Sequence, residues 1–176
     1  MTSPFLPTAT GPLRYAEVPT ALGAFHIVAD DEAVTAVHYP HDEVPRDASW
    51  GTPSRPGEHP ILAAAARQLT EFLAGERRTF DLPLRPRGTD FQRQAWAALL
   101  TIPYGQTRSY REQAEAIARP TAVRAIGAAN GANPIPIFIP CHRVIGSGGS
   151  LTGYAGGTEL KARLLDLESG QVTFAG

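Results

Sequence analysis

The stretch "RYAEVPTALGAFHIVADDEAVTAVHYP" alternates apolar and polar residues, with Gly23 and the Asp30-Asp31 pair as turn punctuation. A period of two sends alternate side chains to opposite faces, so this region predicts short strands in a hairpin or meander. "HDEVPRDASWGTPSRPGEHP" follows with four prolines and reads as loop. The period then changes. Leu62, Ala66, Leu69 and Leu73 recur at helical spacing in "ILAAAARQLTEFLAGE", and Gly75 marks the stop. "LPLRPRGTD" predicts a boundary between two domains.

Three short helical patterns come next. Thr89 or Asp90 caps "FQRQAWAALLTI", which ends at Pro103 and the turn "PYGQT". Ser109, with Glu112 three residues on, forms a capping box for "YREQAEAIA". Pro120 is expected as the first-turn residue of "PTAVRAIGAAN". Two short helices joined by a tight turn resemble a helix-turn-helix, a unit that often lays its second helix in a DNA groove, although most helix pairs simply pack.

The pattern then becomes extended. Ile135, Ile137 and Ile139 alternate, and Pro134 and Pro136 remove backbone donors. A stiff, extended approach that pins Cys141 against the core is expected, not a central strand. "GGTELKARLLDLESG" reads as a last helix closed by Gly170.

Cys141 is the chain's one cysteine, so no internal disulfide and no multi-cysteine zinc site can form. A lone cysteine is usually a small buried hydrophobe. Here His142 and Arg143 follow it, which suggests a thiol at the edge of the apolar run with cations nearby to favour the reactive thiolate. Glu168 lies on the apolar stripe of the last helix with Leu160 and Leu164. A carboxylate facing a core needs a partner, and His142 is the candidate; a helix-end glutamate reaching solvent is the alternative. A Glu–His pair would make the imidazole a base for a thiol.

Composition adds limits. A chain of 176 residues with 43% hydrophobic and 19% charged content fits a globular protein with a real core. No apolar run approaches the roughly 20 residues that span a bilayer, so a cytoplasmic protein without membrane contact is expected. Residues 1–84 hold 6 Lys+Arg against 11 Asp+Glu, whereas residues 85–176 hold 10 against 6. That asymmetry hints that the second half meets an anion.

The residues themselves go further. "IPCHRVIGSGGSLTGYAGGTELKARLLDLE" closely resembles the active-site region of the O6-alkylguanine-DNA alkyltransferases, the methylated-DNA–protein-cysteine S-methyltransferases. "FQRQAWAALLTIPYGQTRSYREQA" and "RPTAVRAIGAANGANPIPIFIPCHRV" match the same family, in register over about residues 91–168. Residues 1–84 fit its N-terminal domain only loosely. The resemblance implies a flexible tail (1–12), an α/β N-terminal domain of small antiparallel sheet plus helix (13–84), and a mostly helical C-terminal domain (85–176). The last would carry a winged-helix-like helix-turn-helix, the DNA-binding surface and the alkyl acceptor.

It also implies roles. Cys141 would take the alkyl group from O6 of guanine, and from O4 of thymine, in one irreversible turnover without cofactor or metal. His142 would act as base through a bridging water, oriented by Glu168, while Asn133 stabilises the turn that carries the cysteine. Tyr154, Ala155, Val144 and Tyr110 would surround the base, with Tyr154 donating to the guanine. Ala155 stands where many members carry serine, so only its backbone N–H would reach O6. The lesion must leave the stack to be reached. Tyr110 would crowd its phosphate and Arg124 fill the vacated space, from a helix that enters the minor groove. Arg111, Arg119 and Ser147 fall where the family contacts DNA backbone. A monomer on double-stranded DNA is expected. A cysteine hydrolase with a Cys–His–Glu site and a non-catalytic alkylated-base-binding protein are the rival readings.

Overall fold

The computed structural model describes residues 3–9, 11–45 and 47–172. Two compact units divide after Arg87, the second spanning Gly88–Val172.

The first unit is built on the predicted meander. Strands β1 (Arg14–Thr20), β2 (Gly23–Ala29) and β3 (Val34–His38) pair antiparallel. Gly23 turns between the first two at φ +102, where a Cβ would strike the Pro40 side chain at 2.6 Å. The loop holds a strand that alternation did not predict. Strand β4 (Thr52–Pro53) pairs parallel with β1, and its proline is tolerated because this is an edge. Helix α1 (Pro60–Leu73) packs Leu62, Leu69, Phe72 and Leu73 into the core. Its cap is a histidine: His59 Nδ1 accepts from Leu62 N–H at 3.4 Å, and Pro60 opens the first turn.

Two expectations for this half are corrected. The opening residues are not all loose, because Phe5 is buried and Leu6 N–H donates to Leu84 O at 2.9 Å. Met1, Thr2 and Thr10 of that expected tail lie outside the described residues. Arg85, counted with the basic half, is buried in the first unit, where it pairs with Asp30 and Glu32. Burial raises the Asp30 carboxyl, but backbone N–H groups and the Arg85 guanidinium outweigh it and hold Asp30 below its usual value.

The second unit opens with α2 (Asp90–Leu99). Thr89 is its cap, and Gln92 completes a capping box. Strand β5 (Arg108–Ser109) leads into α3 (Tyr110–Ala116), capped by the predicted Ser109–Glu112 box. Helix α4 (Val123–Gly131) begins later than expected. Pro120 lies in a turn closed by Ala122 N–H to Arg119 O at 2.9 Å, the second turn position that a fixed proline φ favours. Helices α2, α3 and α4 bury Ala95, Ala114, Ile126 and Ala129 together, and Trp96 Nε1 donates to Ala129 O at 2.8 Å. Strand β6 (Val144–Ile145) pairs parallel with β5, and α5 (Thr158–Glu168) ends in Ser169 and Gly170, the latter at φ +78. Among the described residues no helix is long and apolar enough to cross a membrane.

The approach to Cys141 is not extended. Ile139 N–H donates to Ile135 O at 2.9 Å, so the chain doubles back on itself. Ile137 sits at φ +71, a left-handed conformation costly for a β-branched residue. Alternation misled here because Ile135, Ile137, Phe138 and Ile139 are all buried by the turn.

Candidate active site

Asn133 holds that turn together. Its Nδ2 donates to Ile139 O at 2.9 Å, and its Oδ1 accepts from Ile135 N–H at 3.1 Å. Pro140 follows with φ −82 and ψ 64, and Cys141 N–H returns to Ile139 O at 2.8 Å, an inverse γ-turn. A single turn of 3-10 helix then carries Cys141, His142 and Arg143. The same Asn133 amide also donates to Cys141 Sγ at 3.1 Å. One asparagine therefore shapes the turn and touches the sulfur.

Glu168, at the end of α5, anchors the next two residues. Its Oε1 meets His142 Nε2 at 2.6 Å, and its two oxygens receive Arg143 Nε at 3.0 and 2.9 Å. Gly105 N–H donates to Oε2 at 2.9 Å. The solvent-exposed alternative for Glu168 is excluded, since it is 5% exposed and His142 is 0%. Burial pushes the Glu168 carboxyl up, yet His142 and Arg143 more than offset this and hold it below its ordinary value. Burial also lowers His142, against the pull of Glu168, so the ring is neutral at neutral pH. An ionised carboxylate only accepts, so the neutral ring donates from Nε2 and Nδ1 carries the lone pair.

The thiol does not behave as the flanking cations suggested. Cys141 is buried, and burial pushes it up to about 11 despite help from Asn133 and Lys161. Arg143 gives the sulfur no relief because its guanidinium is committed to Glu168 and, through Nη1, to Ile102 O at 2.7 Å.

Lys161 is the residue that sequence reasoning missed. It is 1% exposed on α5, and its ammonium donates to Val144 O and, at 3.4 Å, to Thr152 O. The rings of Tyr110 and Tyr154 each lie 5.9 Å from Nζ. Burial lowers Lys161, and the nearby thiol draws it back. A lysine three residues before Leu164, on the buried face that also carries Glu168, was the available signal. Tyr154 is buried, and Tyr110, half-buried, donates from its hydroxyl to Thr152 O at 2.9 Å. The sulfur thus has Asn133 in direct contact and Lys161 and Tyr110 near enough to interact electrostatically, while Glu168 joins the site through His142, and Val144 and Tyr154 through Lys161.

Comparison with known proteins gives matches to both halves of the chain. The 6-O-methylguanine DNA methyltransferase ribonuclease-like domain matches residues 13–86, and the DNA binding domain of the same name matches residues 90–170. The chain belongs to the 6-O-methylguanine DNA methyltransferase family. It is 46% identical over 158 residues to the constitutive methylated-DNA–protein-cysteine methyltransferase of Bacillus subtilis, covering 88% of this chain and 94% of that one. The methylated-DNA–protein-cysteine methyltransferase of Mycobacterium tuberculosis is 44% identical over 156 residues, covering 89% of this chain and 92% of that one. The crystal structure of the M. tuberculosis O6-methylguanine methyltransferase superposes with a TM-score of 0.82 at 42% identity, over 91% of this chain and 94% of that one. A structure of the M. tuberculosis protein in complex with DNA gives the same TM-score and identity.

The other residues expected from the family are exposed. Arg124 is exposed in the first turn of α4, and Arg111 is exposed on α3. Arg119 is exposed between these helices, with its guanidinium 5.8 Å from the centre of the Phe91 ring. Ser147 and Ala155 are exposed on the loop between β6 and α5. Among the described residues, no group of three His, Cys, Asp or Glu could hold a metal ion.

Proposed function

We propose that this chain repairs DNA directly, moving the alkyl group from O6 of guanine to Cys141 once and irreversibly. The observation that carries the reading is the contact set of the 3-10 turn: Asn133 on the sulfur, and Glu168 on the imidazole of the next residue. Sulfur attacks the alkyl carbon, a C–S bond forms, and the C–O6 bond breaks with its electron pair passing to the guanine. The thiol proton moves to His142 Nδ1 through a bridging water, and a proton returns to the departing base with help from Tyr154. Atoms and charge balance without a cofactor.

A thiol pushed up to about 11 beside an imidazole held low argues against a stored thiolate. The proton leaves as the C–S bond forms, so the resting protein keeps its single acceptor inert. The ammonium of Lys161 sits where it stabilises negative charge developing at sulfur.

DNA is the partner, and the minor groove is the surface that α4 would enter, with Arg124 replacing the extruded nucleotide and Arg111, Arg119 and Ser147 on the backbone. This reading makes the first unit a separate N-terminal domain and gives DNA binding and transfer to the second unit, Gly88–Val172. The protein would act as a monomer in the cytosol, with guanine O6 and thymine O4 as substrates.

Intact mass after incubation with duplex DNA containing O6-methylguanine tests the proposal. One added methyl per chain, absent in Cys141→Ala, is expected. Repaired DNA with unmodified protein would instead favour a hydrolase, and intact lesion with bound protein a binding module.

A further inference from the structure

Three helices of the second unit meet at a buried polar point that the chemistry above does not use. Gln113 of α3 is 2% exposed and Asn130 of α4 is 6% exposed. Gln113 Nε2 donates to Ala95 O of α2 at 3.0 Å and to Asn130 Oδ1 at 3.0 Å. Asn130 Nδ2 donates back to Gln113 Oε1 at 2.7 Å, which closes a reciprocal amide pair. The pair adjoins the apolar cluster of the three helices: Gln113 precedes Ala114, Asn130 follows Ala129, and Ala95 supplies the carbonyl.

Filling that space does not require amides. Apolar side chains of similar shape would avoid the desolvation of two polar groups, which is costly wherever a bond is imperfect. A matched pair instead selects one register. In a low-dielectric interior, any slip of one helix along the other breaks bonds that nothing nearby can replace.

Both members lead to the sulfur. Tyr110 lies one turn before Gln113 on α3, and its hydroxyl holds Thr152 O. Asn130 lies in the last turn of α4, and Asn133 N–H donates to its carbonyl at 3.2 Å. Asn133 Nδ2 then reaches Cys141 Sγ at 3.1 Å. A shift of α4 against α3 would thus move Asn133 and the sulfur relative to Tyr110.

We propose that Gln113 and Asn130 are positioning residues: their amide pair sets the register of the two helices and thereby aims the Cys141 sulfur. The proposal rests on the alkyl-transfer reading above. Misplacement on the ångström scale can cost about a hundredfold in rate, so a small slip is enough to matter.

The test replaces the pair in two ways. Gln113→Met with Asn130→Leu keeps the shape and removes every amide. This variant is expected to unfold at the same temperature or higher, yet to transfer methyl from duplex DNA about tenfold or more slowly. Its Asn133 side-chain amide resonance, assigned with Asn133→Ala, should shift and lose protection from solvent exchange. Gln113→Asn with Asn130→Gln keeps a reciprocal pair of the same summed length and should recover most of the rate. A stable apolar variant with the original rate and an unmoved Asn133 resonance overturns the proposal. If the apolar variant does not fold, the exchanged pair decides: recovery of rate and resonance supports the idea, and a folded but slow protein overturns it. The unsubstituted protein is measured alongside. Should it take up no methyl, the alkyl-transfer reading falls, while the Asn133 resonance still tests the register.

Discussion

The side-chain amide of Asn133 donates to the sulfur of Cys141 across 3.1 Å while bracketing the turn that delivers it. Asn133→Ala should therefore do two things. Loss of the turn bonds leaves Ile135 N–H without its acceptor, a cost of about 1–3 kcal/mol, while Ile139 O keeps the Cys141 N–H. Loss of the bond to sulfur removes one of the influences that lower the thiol. Thermal unfolding and single-turnover methyl transfer are both expected to suffer. A variant that is destabilised but transfers at the original rate would reduce Asn133 to a structural role.

Glu168→Gln keeps the shape of the carboxylate but removes its charge. His142 then loses the anion that stabilises its protonated form, and general-base assistance is worth about 10²–10⁴ in rate. Single-turnover transfer should slow by a factor in that range, with duplex affinity changed little. Comparable losses in rate and affinity would show a general disruption of the unit.

Lys161→Met should separate activity from stability. Burial disfavours the Lys161 ammonium, so an apolar replacement is expected to leave the melting temperature unchanged or raise it. The thiol would lose a stabilising charge, and transfer should slow. An unchanged transfer rate would make the lysine only a strap for Val144 and Thr152.

Acid should weaken the second unit in two stages. His142 is held below its ordinary 6.5, so the folded protein binds a proton there less readily than the unfolded chain. Its contribution is complete above 6.5 and is lost as pH falls through the lowered folded value. Glu168 is held below 4.5, so its contribution is present above that pH and disappears as pH falls through its own folded value. Melting temperatures followed from neutral to acid pH should decline below about 6.5 and again below about 4.5. In Glu168→Gln the second decline should shrink.

Arg124→Ala should divide extrusion from chemistry. A base leaves the stack at a cost of a few kcal/mol, which an inserted side chain partly offsets. Repair of duplex DNA is expected to slow, while alkylation by a free O6-substituted guanine stays near the original rate. Saturating DNA is needed, because loss of a cation also weakens duplex binding more as salt rises. Equal losses on both substrates would assign Arg124 to the fold.

Local chemistry was legible in the sequence because local rules govern it. The meander from Arg14 to His38, the Ser109–Glu112 capping box and the ends at Gly75 and Gly170 depend on neighbours in the chain. Glu168 on an apolar stripe pointed to a buried partner, and His142 is that partner. The turn at Ile135–Ile139 was not legible, since alternation describes a strand and this segment is bent by Asn133. The acidity of Cys141 was not legible either. Flanking cations suggested a lowered thiol, but desolvation is a property of the assembled core, and folding commits Arg143 to Glu168 instead. Residue types and their spacing thus determined which groups could react. Only tertiary packing decided how far each lies from water, and burial governs the charge each can carry.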